Sequence, residues 1–223
     1  MCGRFTFTLV EAEAKKRFKI QTILADHQPR YNIAPTQNIP VVVSDQDGNR
    51  VLEEMRWGLI PFWAKDAKIG NRMINARSET VAEKRSFKRL LTGRRCLVPA
   101  DGFYEWKKEG KNKIPLRVTL KDNQAFAFAG LWDSWKNPQG QTVNSCTILT
   151  CQPNSFIKKI HHRMPVILST KAEKLWLDSS VIDQTKLTKV LVPCPANGLK
   201  AYSVSTLVNS PRYDGQECMK PVK

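Results

Sequence analysis

A cysteine stands directly behind the initiator methionine in the opening residues MCGRF. A small second residue allows the methionine to be removed, so we predict that Met1 is cleaved and that Cys2 becomes the N-terminus. Cys2 would then carry an α-amine with a pKa of about 7.7–8.0 and a thiol with a pKa of about 8.5. Such a 1,2-aminothiol condenses with an aldehyde through its amine, and its thiol then closes a five-membered thiazolidine ring. A lysine amine, with a pKa of about 10.4, is mostly protonated at neutral pH and stops at the reversible imine.

Five further segments mix polar and aromatic residues where the strands of a core are plainly apolar. Such departures from a local pattern concentrate at functional sites. Each segment alone is a weak indication, and a cysteine also falls at position 2 by chance. The segments are YNIAPTQ (31–37), RWGLIPFW (56–63), NARSET (75–80), CLVPADGFYEW (96–106) and IHHRMPVIL (160–168).

The elements that must position these segments are predicted to be mostly short strands. A hairpin is expected at 39–44 and 51–57 around an Asp47-Gly48 turn. Strands are then predicted at RCLVPA, IPLRVTL, AFAFAGLW, SCTILT and PVILS. No regular alternation of strand and helix is present, so the pattern predicts an α+β fold dominated by antiparallel strands.

Three helices are predicted from their capping residues. The first begins at Thr8 and the third at Thr170, because each opens a T-x-x-E capping box. The second is expected at about residues 79–91, with Ser78 as its N-cap and Gly93 as its end. No repeat or flexible linker interrupts the chain, so residues 1–223 are predicted to form a single domain.

Basic residues strongly outnumber acidic ones. Thirty-six Lys and Arg against 20 Asp and Glu give a net charge of +16. The basic residues recur along the chain, which indicates a folded surface with a positive face rather than a charged tail. This surface suits a polyanionic partner, because contacts to phosphates release counterions. A solvated basic surface without a partner is the alternative.

Several classes of protein are disfavoured by the motifs that the sequence lacks. It contains no GxGxxG, GxxxxGK[ST] or HExxH motif, which argues against nucleotide-cofactor enzymes and zinc proteases. Its six cysteines lack the spacing of a metal site, so we expect free, mostly buried thiols and neither metal nor cofactor. No apolar run is long enough to span a bilayer and no signal peptide is recognisable, so a cytoplasmic protein is predicted.

Together with MCGRF, the five segments resemble the SOS-response-associated peptidase (SRAP) family of abasic-site processing proteins. The resemblance extends to YSVSTLVNSPRYDGQEC (202–218) and so covers essentially the whole chain. It implies a mainly antiparallel fold with a barrel-like core and flanking helices. It also implies a protein that senses abasic sites in single-stranded DNA and cross-links to them through Cys2, shielding the lesion. Schiff-base chemistry of this kind implies AP-lyase activity as a companion.

The resemblance also implies catalytic roles for three further residues. Glu105 of FYEW is expected to deprotonate the Cys2 amine and to protonate the departing hydroxyl group. His161 of HHRMP is expected to donate a proton to the sugar ring oxygen, and the register of the motif favours it over His162; in a strand the two would face opposite sides. Asn75 of NARSET is expected to hydrogen-bond Cys2 or the opened sugar.

A second group of motif residues is predicted to contact DNA. Arg4, Arg77 and Arg163 are expected to hold flanking phosphates, with Arg85 as a weaker candidate. Trp63 and Trp106 are expected to stack on bases, although core packing is an alternative for both. Asn32 and Pro35 of YNIAP complete this set as residues that shape the loop beside the site.

Two other functions remain open from the sequence. The first is a cysteine peptidase with Cys2 as nucleophile and His161 as base, including autocatalytic removal of Met1. A peptidase needs only the thiol, however, which does not explain an N-terminal position. The second is a non-catalytic module that binds single-stranded DNA, which explains the charge but leaves Glu105 and Asn75 without a role. The expected state is a cytoplasmic monomer, associated with the nucleoid through DNA.

Overall fold

Two sheets built mostly from antiparallel strands dominate the computed structural model, which describes residues 2–25 and 27–222. The predicted removal of Met1 therefore lies outside the described residues. The strands are β1 (Phe5–Phe7), β2 (Thr22–Ile23), β3 (Arg30–Ile33), β4 (Asn38–Ser44), β5 (Arg50–Trp57), β6 (Asn75–Arg77), β7 (Arg95–Ala100), β8 (Gly102–Glu109), β9 (Asn112–Leu120), β10 (Phe126–Lys136), β11 (Thr142–Cys151), β12 (Met164–Pro165), β13 (Ile167–Leu168) and β14 (Leu199–Ser203). The helices are α1 (Glu11–Phe18), α2 (Arg85–Gly93), α3 (Thr170–Leu177) and α4 (Gln184–Lys189).

Five strands of the larger sheet close into a barrel. β4 pairs with both β5 and β7, and β10 lies between β7 and β11, all antiparallel. The parallel pairing of β11 with β5 completes the ring. Closure leaves no free edge on these strands, and their apolar side chains, such as Val42, Leu97 and Phe128, are fully buried. The predicted mainly antiparallel α+β fold with a barrel-like core and flanking helices is confirmed.

The strands predicted from sequence are largely in place. The hairpin at 39–44 and 51–57 is β4–β5, and its turn contains Gly48 at φ +84°, a conformation that favours glycine. The predicted strand PVILS is divided between β12 and β13, each two residues long. Val166 lies between them: its amide donates to the Leu149 carbonyl of β11, and its carbonyl accepts from the Ala129 amide of β10.

The N-terminal strand connects the two sheets. β1 pairs with β8 and β3 in the smaller sheet, whose order is β14–β9–β8–β1–β3. Its Phe5 ring packs edge-on against Trp57 and Phe128 of the barrel, with ring centroids 5.3 and 5.8 Å away. This burial fixes β1, and therefore the residues just before it, between the two sheets.

Asp101, between β7 and β8, ties down the other end of β1. Its carboxylate accepts hydrogen bonds from the hydroxyl groups of Thr6 and Thr8 and from the Thr8 amide at 2.8 Å. Arg117 donates to the same carboxylate at 3.1 Å. The prediction of Thr8 as a helix cap is wrong, because its hydroxyl group donates a hydrogen bond to Asp101 instead of accepting one from the helix. Helix α1 begins three residues later, at Glu11.

The other two helix starts also differ from the prediction. The expected helix at 79–91 is broken: a 3₁₀ turn spans Ser78–Thr80, and α2 begins only at Arg85. The break follows from tertiary contacts, because Val81 is buried and the Glu79 side chain is bound elsewhere. Helix α3 is capped by Ser169, whose hydroxyl accepts from the Ala172 amide, rather than by Thr170. No helix within the described ranges is long and apolar enough to cross a membrane.

Candidate active site and nucleic-acid interface

Cys2 lies fully buried just before β1. Its Sγ is 3.9 Å from the Arg4 carbonyl, and its own carbonyl accepts a hydrogen bond from Asn75 Nδ2 at 2.8 Å. Burial raises the pKa of the Cys2 thiol, and the nearby Glu105 carboxylate raises it further. The thiol is therefore neutral near pH 7, unlike the low-pKa thiolate of an activated cysteine nucleophile.

Glu105 lies on β8 beside the N-terminal residues. The amide of Tyr104 donates to the Arg4 carbonyl at 2.9 Å, which continues the β1–β8 pairing toward Cys2. The Glu105 side chain is only 3% exposed, and burial raises its pKa to about 7. A carboxyl group with this pKa exchanges protons readily at neutral pH, as a general acid or base must.

Asn75 also contacts Cys2, from a different strand. It lies on β6, which pairs in parallel with β11 at Ile148. Its Nδ2 holds the Cys2 carbonyl, whereas its buried Oδ1 accepts no hydrogen bond from the described residues. The amide thus fixes the cysteine with its donor and keeps an acceptor for another group.

His161 follows the 3₁₀ turn at Ile157–Lys159 and is partly buried. Its Nδ1 lies 3.0 Å from the Arg163 amide nitrogen and 3.1 Å from the Arg163 carbonyl oxygen, so the backbone of Arg163 holds the neutral ring in either tautomer. Burial lowers the pKa of His161, which favours this neutral form. Its ring stacks on His162 at 4.2 Å, so the expectation that a strand separates the two rings is wrong.

Glu105 and His161 meet at the mouth of a basic cleft. Both line a cavity of about 450 Å³, which adjoins a second cavity of about 790 Å³. The two share Trp106, Lys108 and His161. The fold brings together here five lysines from the segments KKEGKNK and IKKIHHR, to none of which the sequence assigned a role: Lys107, Lys108, Lys113, Lys158 and Lys159.

A second exposed group contains three of the predicted DNA contacts. Arg77, at the end of β6, and Arg85, at the start of α2, are both exposed. The Arg85 guanidinium lies 5.5 Å from the centroid of the Trp63 ring, which is 40% exposed. An accessible aromatic ring with a cation beside it can stack on a base, so the predicted DNA contacts of these residues stay open.

Arg4 and Asn32 are engaged inside the protein. Arg4 Nη1 donates to Asn32 Oδ1 at 2.8 Å and to the Val208 carbonyl at 2.6 Å. Asn32 is fully buried, and its Nδ2 donates to the carbonyls of Ser210 and Tyr213. Asn32 is therefore turned inward and fastens the C-terminal segment to β3, and its predicted role in shaping the loop beside the site stays a prediction.

Pro35 and Trp106 remain partly accessible. Pro35 follows β3 in a loop whose next residue, Thr36, has φ 73°. Trp106 forms a wall of both basic cavities, and its Nε1 donates to Asn209 Oδ1 at 2.7 Å. Neither position contradicts the predicted role beside DNA.

Arg163 does not support the predicted phosphate contact. Only 6% of the residue is exposed, and its guanidinium donates to both carboxylate oxygens of Glu79, at 2.6 and 2.8 Å. It also donates to the Thr150 carbonyl at 2.8 Å. Because Glu79 and Thr150 bind its two Nη groups, Arg163 fixes the loop that carries His161 instead of facing solvent.

The site offers no obvious metal centre within the described residues. No group of three or more His, Cys, Asp or Glu side chains there is arranged to hold a metal ion. Five of the six cysteines are buried, and none of the six forms a disulfide in this part of the chain.

Comparison with known proteins connects this geometry to one family. A family model described as SOS response associated peptidase (SRAP) matches residues 1–211. The abasic site processing protein YoqW of Bacillus subtilis (strain 168) is 47% identical over 223 residues, or 99% of each chain. YoaM of the same organism, with the same description, is 48% identical and covers 98% of this chain and 97% of its own.

More distant proteins give the same result. The abasic site processing protein HMCES of Gallus gallus is 35% identical over 88% of this chain and 67% of its own length. A solved structure from Bacteroides thetaiotaomicron superimposes with a TM-score of 0.86 at 28% identity, over 99% of this chain and 100% of that one. Since the family model and these relatives match nearly the whole chain, this protein belongs to the SOS response associated peptidase (SRAP) family.

Proposed function

We propose that this protein captures abasic sites in single-stranded DNA by forming a thiazolidine cross-link through Cys2 once Met1 has been removed. The observation that carries the proposal is that Asn75 holds the Cys2 carbonyl, while Glu105, whose charge acts on the Cys2 thiol, lines a cleft together with lysines. A polyanion bound in that cleft would bring its sugar to the cysteine. The name abasic site processing protein, carried by relatives of 47% and 48% identity, supports the same substrate.

The reaction begins with the sugar of the abasic site. As an imidazolium, His161 donates a proton to the ring oxygen while the hemiacetal hydroxyl gives its own proton to solvent water, which opens the ring to an aldehyde and leaves His161 neutral. The lowered pKa of His161 makes its imidazolium a stronger acid for this transfer, and because the Arg163 backbone holds Nδ1, the donating nitrogen is Nε2.

The Cys2 amine then attacks the aldehyde carbon. Glu105 accepts a proton from the amine and returns it to the departing hydroxyl group, so one water leaves and an imine forms. A carboxyl group with a pKa of about 7 can perform both transfers near neutrality. Asn75 holds the Cys2 carbonyl, and its Oδ1 is placed to accept from the amine or a sugar hydroxyl.

Ring closure completes the cross-link. The neutral thiol adds to the imine carbon: the carbon–sulfur bond forms and the thiol proton ends on the ring nitrogen. Because amine and thiol belong to one residue, the addition is intramolecular. The raised pKa of the Cys2 thiol is compatible with this order of events, in which the amine reacts first. β-Elimination from the imine is a competing outcome and would appear as weak AP-lyase activity.

A cysteine peptidase is the less supported alternative. Such an enzyme needs a thiolate, and its cysteine has a lowered pKa. Burial and Glu105 act on Cys2 in the opposite direction. A binding module without catalysis leaves the perturbed pKa of Glu105 unused.

The test is a denaturing gel. Purified protein is mixed with a single-stranded oligonucleotide that carries one abasic site, without reductant, and the products are heated. A band that survives denaturation and is absent with intact DNA or with Cys2→Ala supports cross-linking. Cys2→Ser keeps the amine and should give only an imine that borohydride traps. Equal cross-linking by Cys2→Ala would refute the proposal, and the intact mass should show that Met1 is absent.

A further inference from the structure

Two lysines face each other at the edge of the active-site cleft. Lys108 on β8 and Lys113 on β9 are direct partners in the antiparallel ladder, and both line the cavity of about 450 Å³. Like charges placed directly opposite each other destabilise a sheet. Of the two acids on β8, Glu109 is paired with Lys107 at 2.6 Å, and Glu105 lines the same cavity but is only 3% exposed. An anion in the cleft would satisfy both ammonium groups.

Asn209 adds a hydrogen-bond donor to the same cleft. The indole N–H of Trp106 can only donate, so the 2.7 Å contact fixes Oδ1 of Asn209 as the acceptor and leaves Nδ2 as the group turned away from the indole. Arg4 anchors the adjacent backbone by donating to the Val208 carbonyl. The amide therefore has a fixed orientation, although the residue itself is exposed.

We propose that this cleft is a subsite for one backbone phosphate of the DNA strand. Lys108 and Lys113 neutralise the phosphate, Nδ2 of Asn209 donates to one of its oxygens, and Trp106 forms the wall. The subsite rests on the proposed function, because Glu105 and the sugar it acts on share the cavity. A phosphate bound in this subsite would lie next to the reacting sugar and would thereby hold the aldehyde against Cys2.

The test uses a probe that cannot react. A single-stranded oligonucleotide carries a tetrahydrofuran abasic analogue, which has no hemiacetal, and each phosphate in turn is replaced by a neutral methylphosphonate. For the unmodified protein, one position beside the analogue should weaken binding. In a Lys108→Gln/Lys113→Gln variant, the same replacement should have a much smaller effect, because the phosphate has already lost both of its lysine partners. An undiminished effect in the variant overturns the subsite.

Asn209 is tested by an isosteric change. Asn209→Asp keeps the acceptor for Trp106 but replaces the donor with an anion, so binding of the probe should weaken on the order of tenfold. Trp106→Phe removes only the indole donor and should weaken binding less. If Asn209→Asp binds the probe as the unmodified protein does, Asn209 merely supports Trp106 and the subsite is refuted.

Salt dependence provides a matched control. For undamaged single-stranded DNA, each lysine-to-glutamine change in the subsite should reduce the slope of log affinity against log salt by about 0.7. A Lys171→Gln/Lys174→Gln variant, altered on α3 along a different cavity, should keep the original slope. Equal slopes for both lysine pairs would contradict the subsite.

Failure of the subsite and failure of the proposed function give different results. If the unmodified protein cross-links a true abasic oligonucleotide but its methylphosphonate scan is flat, only the subsite is wrong. If the scan shows the expected position but no cross-link forms, the subsite holds for a DNA-binding protein and the cross-linking proposal is wrong.

Discussion

The guanidinium of Arg163 and the carboxylate of Glu79 form a two-point ion pair, with N–O distances of 2.6 and 2.8 Å. The pair joins the segment after β6 to the loop that carries His161, across 84 residues of sequence. Through its backbone amide, the same arginine fixes the ring of His161. A motif residue that looks like a phosphate contact in the sequence is therefore part of the framework of the site.

Removing Glu79 should destabilise the protein. Glu79→Ala leaves the buried Arg163 guanidinium with fewer acceptors, and a hydrogen bond to a charged group contributes about 1.5–3 kcal/mol. Because Glu79 is 40% exposed, we expect about 1–2 kcal/mol from urea unfolding at pH 7. Glu83→Ala, on the exposed neighbouring turn, is the control and should change stability by less than about 0.5 kcal/mol.

The Glu79 effect has a defined pH dependence. The hydrogen bonds from Arg163 lower the pKa of Glu79 in the folded state. The stabilisation is therefore complete above the unfolded pKa of about 4.3 and is lost as the pH falls through the lower folded value. A difference between Glu79→Ala and the unmodified protein that persists unchanged in strong acid would contradict the ion pair.

Glu105→Gln should separate stability from activity. Burial raises the folded pKa of Glu105 to about 7, so between about pH 4.3 and pH 7 the folded state binds more protons than the unfolded state. The contribution of this group to stability then falls as the pH rises through that range. Thermal unfolding at pH 8 should show the variant to be at least as stable as the unmodified protein.

The same variant should cross-link slowly. Loss of a general acid–base group reduces a rate by about 10²–10⁴-fold. Single-turnover cross-linking of the unmodified protein should show an inflection near pH 7 that Glu105→Gln lacks. A variant with the original rate and inflection would exclude Glu105 as the proton-transfer group.

Asn75→Asp should impair cross-linking with little change in shape. The aspartate cannot donate to the Cys2 carbonyl and faces it with an anion, so the cysteine loses its 2.8 Å restraint. We expect the single-turnover rate to fall by about tenfold or more, because misplacement of reacting groups by about 1 Å is costly. Asn71→Asp, exposed at the end of a 3₁₀ helix, is the matched control. Equal rates for the two variants would remove Asn75 from the site.

Asp101→Ala should loosen the N-terminal strand. The buried carboxylate accepts from Thr6, Thr8 and Arg117, and its loss leaves those donors unsatisfied. We expect a loss of about 3 kcal/mol in the free energy of unfolding, measured in urea. Asp122→Ala, in an exposed turn, is the control. Hydrogen exchange of the β1 amides should speed up only in the Asp101 variant, and unchanged exchange there would contradict the tether.

Local patterns predicted the strands well and the helix starts poorly. The β4–β5 hairpin follows from alternation and from an Asp-Gly turn, which are local properties. Thr8 and Thr170 have the sequence of capping boxes, yet Asp101 binds the first and Ser169 caps the helix in place of the second. Whether a hydroxyl group caps a helix depends on the other partners available to it, and for Thr8 that partner, Asp101, is far away in the sequence.

The sequence by itself determined the family, the strongly basic character and the residue types of the site. The cysteine at position 2, the FYEW glutamate and the HHR histidine could be named because chemistry depends on residue type and motif order. The tertiary structure alone decided how those residues behave. It buried Glu105 and so raised its pKa, turned Asn32 and Arg163 inward, and gathered lysines from separate segments into one cleft. Burial, orientation and electrostatic environment arise from contacts between segments far apart in the chain, and no local pattern encodes them.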